Sequence, residues 1–205
     1  MLKKRVYLDY AAGSLPNPSA IHAEGVAASK RLEGARQKIA AVIEARPDEI
    51  FMTSGGTEGN NLALFGLLEA GDHVISSLFE HPSVLEPLGR LQDMGVKVTY
   101  LKPDGRGLIS GQAVKQALRP ETKLVSLIYA QNEIGVIQDL NQIRRAIGKN
   151  ILLHTDACQA PGLVPIEPKK LGVDLMTFNG HKIYAPASTG FLFVRRGMSL
   201  SLIHI

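Results

Sequence analysis

The sequence predicts an α/β protein built on a mostly parallel sheet of about seven strands, with helices on most crossovers. Two observations carry this. Short apolar runs alternate with segments of helical periodicity, and several runs, ILL at 151–153 and FLFV at 191–194 among them, are apolar at consecutive positions. A strand covered on one face alternates apolar and polar residues, whereas one covered on both faces does not. In chain order the strands are Ile50–Thr53, His73–Ser76, Lys97–Leu101, Lys123–Ile128, Ile151–Thr155, Leu175–Phe178 and Gly190–Arg195. Apolar residues at three- and four-residue spacing place helices at Leu32, Ala35, Ile39 and Val42, at Leu62, Phe65 and Leu68, and at Ile143 with Ala146 and Ile147.

The 205 residues suffice for one sizeable domain, and no low-complexity linker or internal repeat divides them. With 45% hydrophobic and 20% charged residues the composition is that of a soluble globular protein, neither fibrous nor disordered. The net charge of +4 is scattered, with Lys3-Lys4-Arg5, Lys169-Lys170 and Arg195-Arg196 as its main clusters, and gives no footprint for nucleic acid. One cysteine excludes an intrachain disulfide and fits a reducing cytoplasm. No apolar run reaches membrane-spanning length, and MLKKRVYLDY has no apolar stretch of a signal peptide, so the chain reads as unprocessed and without membrane partners.

In parallel sheets, ligands collect where strands end and helices begin. At the first such junction, IFMTSGGTEGNNLALF, two glycines precede Thr57 and Glu58 at the opening of a helix. Glycine lets backbone approach a ligand, and the free N–H groups of a helix start attract anions, so Gly56 and Thr57 are candidates for holding a phosphate. A plain glycine turn with an N-cap is the competing reading. Neither the Gly-Lys-Ser/Thr of a P-loop nor dinucleotide glycine spacing is present. At the second junction, HVISSLFEHPSVLEP, His81 could be a base or an aromatic surface, or merely structural; no second histidine stands at metal-ligand spacing. The third, LIYAQNEIGVIQDL, offers Asn132 and Glu133, whose ordinary role would be to order the turn. At the fourth, ILLHTDACQAPG, Asp156 ends an interior strand with Gln159 in the same turn. A buried carboxylate there needs a cation or hydrogen bonds, and a structural salt bridge competes with a ligand role.

The fifth junction, TFNGHKIY, sets Lys182 directly after a turn that ends a mostly apolar run. A phosphate site, an aromatic surface, a carboxylate and a lysine, all at strand ends, are what pyridoxal phosphate requires: lysine captures its aldehyde and aspartate keeps its ring nitrogen protonated. Desolvation and cationic neighbours would ready such a lysine for attack. A surface lysine is the competing reading.

Seven motifs in order, YLDYAA (7–12), NPSAIH (17–22), TSGGTEGNN (53–61), EHPSV (80–84), QNEIG (131–135), TDACQA (155–160) and NGHKIYAP (179–186), give the chain a resemblance to the cysteine desulfurases of iron-sulfur assembly and nitrogen fixation. The resemblance runs to about Gly197. It implies the large domain of a fold type I pyridoxal-phosphate transferase, a mainly parallel seven-stranded sheet between helices, with Gly190–Arg195 antiparallel. It implies that Lys182 takes the cofactor covalently, that His81 stacks on the ring and shuttles protons, and that Asp156 and Gln159 meet the ring nitrogen and hydroxyl. Gly56, Thr57 and His181 would hold the phosphate, and Asn132 would lie near the substrate carboxylate. The family reaction converts L-cysteine to L-alanine, leaving sulfur as a persulfide on an enzyme cysteine for an iron-sulfur scaffold or other acceptor, in a homodimer.

Departures from the family pattern are as informative. Asn179 stands where the family has serine, and Gly-Pro-Lys-Gly-x-Gly reads Ala185-Pro186-Ala187-Ser188-Thr189-Gly190, losing one basic residue and two glycines. The stretch between YLDYAA and NPS is shorter than in the family. The family's small C-terminal domain, with its persulfide cysteine and carboxylate-binding arginine, is missing. Cys158, in the TDACQ turn, reads as a packed, inert thiol rather than a sulfur acceptor. The closing LSLIHI looks like a translated sequencing-adapter end, so 1–199 is expected to be the cofactor-binding domain and 200–205 an artefact. The expectation is therefore an incomplete cysteine desulfurase without full turnover. The alternatives are a selenocysteine lyase or other enzyme of the class V aminotransferase fold, and a non-catalytic cofactor-binding remnant.

Overall fold

The computed structural model describes residues 15–201. Helix α1 (Ala23–Val42) leads through a 3-10 turn at Pro47–Glu49 into β1 (Ile50–Thr53). There follow α2 (Gly56–Phe65), β2 (His73–Ser77), α3 (Pro82–Asp93), β3 (Lys97–Leu101), α4 (Gly111–Ala117) and β4 (Thr122–Ile128). The chain continues with α5 (Leu140–Ile147), β5 (Leu152–Asp156), α6 (Pro168–Leu171), β6 (Leu175–Asn179), a 3-10 turn at Gly180–Ile183 and β7 (Gly190–Val194). The YLDYAA motif and residues 202–205 lie outside the described residues. Leu200 packs beside Leu192 and Val194, and the Ser201 amide donates to the Gly66 carbonyl at 2.9 Å.

The strands form one sheet in the order β1-β7-β6-β5-β4-β2-β3. β7 runs antiparallel to β1 and β6, and the pairings among β2 to β6 are all parallel. All seven predicted strands are present, with ends moved by one residue at most, and the antiparallel strand falls where it was expected.

Side chains alternate between the faces of a strand, and the core divides accordingly. On β2 and β4, Val74 and Leu124 pack with Leu64 of α2 and Val84, Leu88 and Leu91 of α3. Their neighbours Ile75 and Val125 turn the other way, toward Ala40, Ile43, Val114, Leu140 and Ile143. Burial on both faces is why these strands read as unbroken apolar runs. One expectation fails in α1. Val42 is 71% exposed, while Ala40 and the next residue, Ile43, take the buried positions. Ile43 follows Ile39 by four residues, one helical turn, whereas Val42 is rotated off that stripe.

Several polar groups inside the sheet are paired, whereas the buried Ser76 Oγ on β2 has no partner among the described residues. His73, fully buried, holds Thr122 at 2.7 Å through Nδ1 and Thr99 at 2.9 Å through Nε2, stitching β3, β2 and β4. Asp174 accepts from Arg144 at 2.5 Å, Arg195 at 2.6 Å and the Leu153 amide at 2.8 Å, joining α5, the starts of β5 and β6 and the end of β7. The order reverses direction between β2 and β4, which makes their carboxyl ends the topological switch point where such sheets bind ligands. No described helix is long and apolar enough to cross a membrane.

Candidate active site

The carboxyl ends of β4, β5 and β6, together with the loop after β2 and the start of α2, enclose a cleft. Of the eight residues singled out in the sequence, seven line it: Gly56, Thr57, His81, Asn132, Asp156, Gln159 and Lys182. His181 is not among the lining residues. It is exposed on the 3-10 turn, where its amide donates to Asn179 Oδ1 at 3.1 Å. Ser83 and Cys158, which the sequence reading gave no role there, also line the cleft, as does Asn179, which replaces the family's serine and could still hydrogen-bond to phosphate.

Asp156 closes β5 and is 4% exposed. Its Oδ2 accepts from Asn60 Nδ2 at 2.7 Å and its Oδ1 from the Cys158 amide at 2.9 Å. Among the described residues it has no salt bridge, so its buried oxygens rest on neutral donors. The salt-bridge reading of this residue finds no partner among the described residues, and the side chain lines the cleft.

Asn60, buried in α2, also donates from Nδ2 to Ser83 Oγ at 2.9 Å. Ser83 Oγ lies 2.8 Å from His81 Nδ1, which receives the Ser83 amide at 3.1 Å as well. His81 is thus the N-cap of α3, a place usually taken by serine, threonine, aspartate or asparagine. A continuous run of hydrogen bonds leads from Asp156 through Asn60 and Ser83 to His81. Next to it Glu80 is 5% exposed and receives the Ser77 hydroxyl. Burial pushes its carboxyl up to about 8 against the opposing Ser77 bond, with the charge of Asp156 adding to the rise. Two residues before Asp156, the fully buried His154 is pushed down to about 4 by burial, and bonds Ser126 at 2.8 Å and Thr177 at 3.0 Å.

Helix α2 begins at the cleft with Gly55 as N-cap and no side-chain cap bond. Thr53 Oγ1 donates to the Gly55 carbonyl at 3.0 Å, and the Ser54 amide donates to Glu58 at 2.6 Å; the Ser54 side chain first, then this amide, hold that carboxylate below its usual range. The lining positions Gly56 and Thr57 thus sit at an uncapped helix start, where N–H groups and dipole attract an anion. Across the cleft, Lys182 rides the Gly180–Ile183 turn and is exposed. Its desolvation, expected of a nucleophilic lysine, is not supplied by residues 15–201, because the turn stands at the rim of the sheet. Burial first, then the Asp156 carboxylate, raise the Cys158 thiol well above its usual range, opposed by Lys182.

Residues 4–204 match the model of the family Aminotransferase class-V. The chain is 40% identical over 226 residues to a protein named cysteine desulfurase IscS from Dictyoglomus turgidum, a match covering 99% of this chain and 57% of the relative. Against 205 residues here, those 226 leave at least 21 in the relative without a counterpart. A solved structure titled SspA in complex with cysteine superposes with a TM-score of 0.85 at 38% identity, covering 91% of this chain and 55% of that one. A NifS-like protein does so with a TM-score of 0.87 at 33% identity, over 93% and 54%. The chain spans little more than half the length of these relatives.

Proposed function

Because the chain belongs to the class-V aminotransferase family, we propose that it binds pyridoxal 5'-phosphate in the cleft and supplies the cofactor-binding part of a cysteine desulfurase. The observation that carries this is the meeting, in one cleft, of an uncapped helix start, a buried carboxylate with no ion pair among the described residues and a lysine. These three fit the phosphate, the ring nitrogen and the aldehyde of the cofactor. When bound, it supplies an electron sink for the carbon next to the amino group of an amino acid.

The residues of the chain divide the remaining work. The N-terminus of α2, through Gly56 and Thr57, anchors a dianion. Asp156 holds a proton on the ring nitrogen, kept in place by Asn60 and the Cys158 amide. Gln159 and Asn132 orient oxygen atoms at the rim, Lys182 provides the amine, and His81 covers the cleft from the β2 side. The substrate is L-cysteine, its sulfur goes to an acceptor in iron-sulfur assembly, and the enzyme is a cytoplasmic homodimer.

The exposure of Lys182 favours a second reading, in which the chain binds the cofactor without turning substrate over. Both readings require covalent capture. Borohydride reduction in the presence of pyridoxal phosphate should fix the cofactor to the wild-type chain and not to Lys182→Ala; equal labelling of the two would sink both. Release of sulfide from L-cysteine by the wild-type chain separates them.

A further inference from the structure

The hydrogen bonds between Asp156 and His81 have a sense as well as a path. The backbone amide of Ser83 can only donate, so His81 Nδ1, which faces it at 3.1 Å, must accept. The Ser83 hydroxyl, 2.8 Å from the same nitrogen, then donates to it as well. That leaves Ser83 Oγ to accept from Asn60 Nδ2, whose other hydrogen goes to Asp156. The opposite amide orientation would set Asn60 Oδ1 against a carboxylate. The observed one leaves that carbonyl buried and unpartnered among the described residues, a cost that the charge-assisted bond to Asp156 offsets.

We propose that Asn60 and Ser83 are positioning residues that carry the fixed charge of Asp156 to His81 and hold its neutral ring in one tautomer, with the proton on Nε2. The proposal rests on the cofactor reading only for what Nε2 faces. Both donors to Nδ1 belong to Ser83, so the free nitrogen of the ring is a hydrogen-bond donor toward the cleft, not a proton acceptor. His81 thereby orients an acceptor oxygen, and accepting a proton from substrate falls to Lys182.

The test is the tautomer itself. In the 205-residue chain carrying 15N-histidine, two-bond nitrogen–proton correlation spectra distinguish Nδ1–H from Nε2–H rings, and His81→Gln assigns the signal. His81 should show the Nε2–H pattern before any cofactor is added. Ser83→Ala should lower the ratio of Nε2–H to Nδ1–H roughly fivefold, the worth of one hydrogen bond, and Ser83→Thr should restore it. An Nδ1–H ring, a mixture like that of free histidine, or an unchanged ratio in Ser83→Ala would overturn the proposal. A protein with the expected tautomer that fails to capture pyridoxal phosphate would refute the cofactor reading and leave this one standing.

Discussion

The thiol of Cys158 occupies the space that a side chain at residue 56 would need: a Cβ on Gly56 falls 2.4 Å from its Sγ. Gly56 is therefore glycine for packing, at the place where α2 meets the cleft.

Gly56→Ala should destabilise the chain by about 1–3 kcal/mol, as overpacking does, and weaken cofactor capture. Adding Cys158→Ala removes the obstacle and should recover most of both losses. Urea unfolding of the two single variants and the double variant measures the coupling; additive effects would mean that the contact is not the cause.

Cys158 should be a poor nucleophile. Burial and Asp156 keep its thiol protonated at neutral pH. Alkylation by iodoacetamide at pH 7.5 should run at least tenfold slower in the folded chain than in urea, followed by mass spectrometry.

Glu80 and His154 should shape stability in opposite directions. Glu80, moved from an ordinary 4.5 to about 8, binds its proton more firmly in the folded state. Its contribution is full below about 4.5, falls as pH rises and is lost by about 8. His154, lowered from 6.5 to about 4, binds a proton more readily when unfolded, so its contribution is full above 6.5 and is lost toward 4. Between 6.5 and 8 only the Glu80 slope remains of these two. Thermal melts from pH 6.5 to 8.5 should show the wild type losing stability relative to Glu80→Gln.

Ser188, at φ 58°, holds the left-handed conformation that glycine adopts freely. It stands in the loop where the resemblance placed a lost glycine. Ser188→Gly should stabilise the chain by up to about 1 kcal/mol, read as a raised urea midpoint at unchanged slope. Gly190 is a contrasting case: a Cβ there would come 2.6 Å from the Gly55 backbone, so Gly190→Ala should destabilise it.

How much could be read beforehand follows from how local each signal is. Strands buried on both faces leave unbroken apolar runs, and Asp156 and Lys182 stand out because polar groups follow such runs directly. Asn60 left no comparable mark. It meets Asp156 across 96 residues of chain, a contact that exists only once α2 lies against the end of β5. The buried face of α1 escaped for a similar reason: Ile39 fits the stripe through Val42 and the one through Ile43 equally well, and packing decides between them. Glu80 carries no distinguishing mark within EHPSV, because burial of a single carboxyl has no periodicity.

The antiparallel β7 lies between β1 and β6, and among the described residues β1 has no other partner in the sheet. Ile50 pairs with Phe193, so β1 must wait for β7. At 5–20 residues per second on the ribosome, that interval is on the order of ten seconds. During synthesis β2 to β6 can pair as they emerge, while β1 and the start of α2 that it carries remain without their final support. Phosphate-holding capacity should therefore arrive only once β7 has been made, after the sheet that bears Asp156 has already formed.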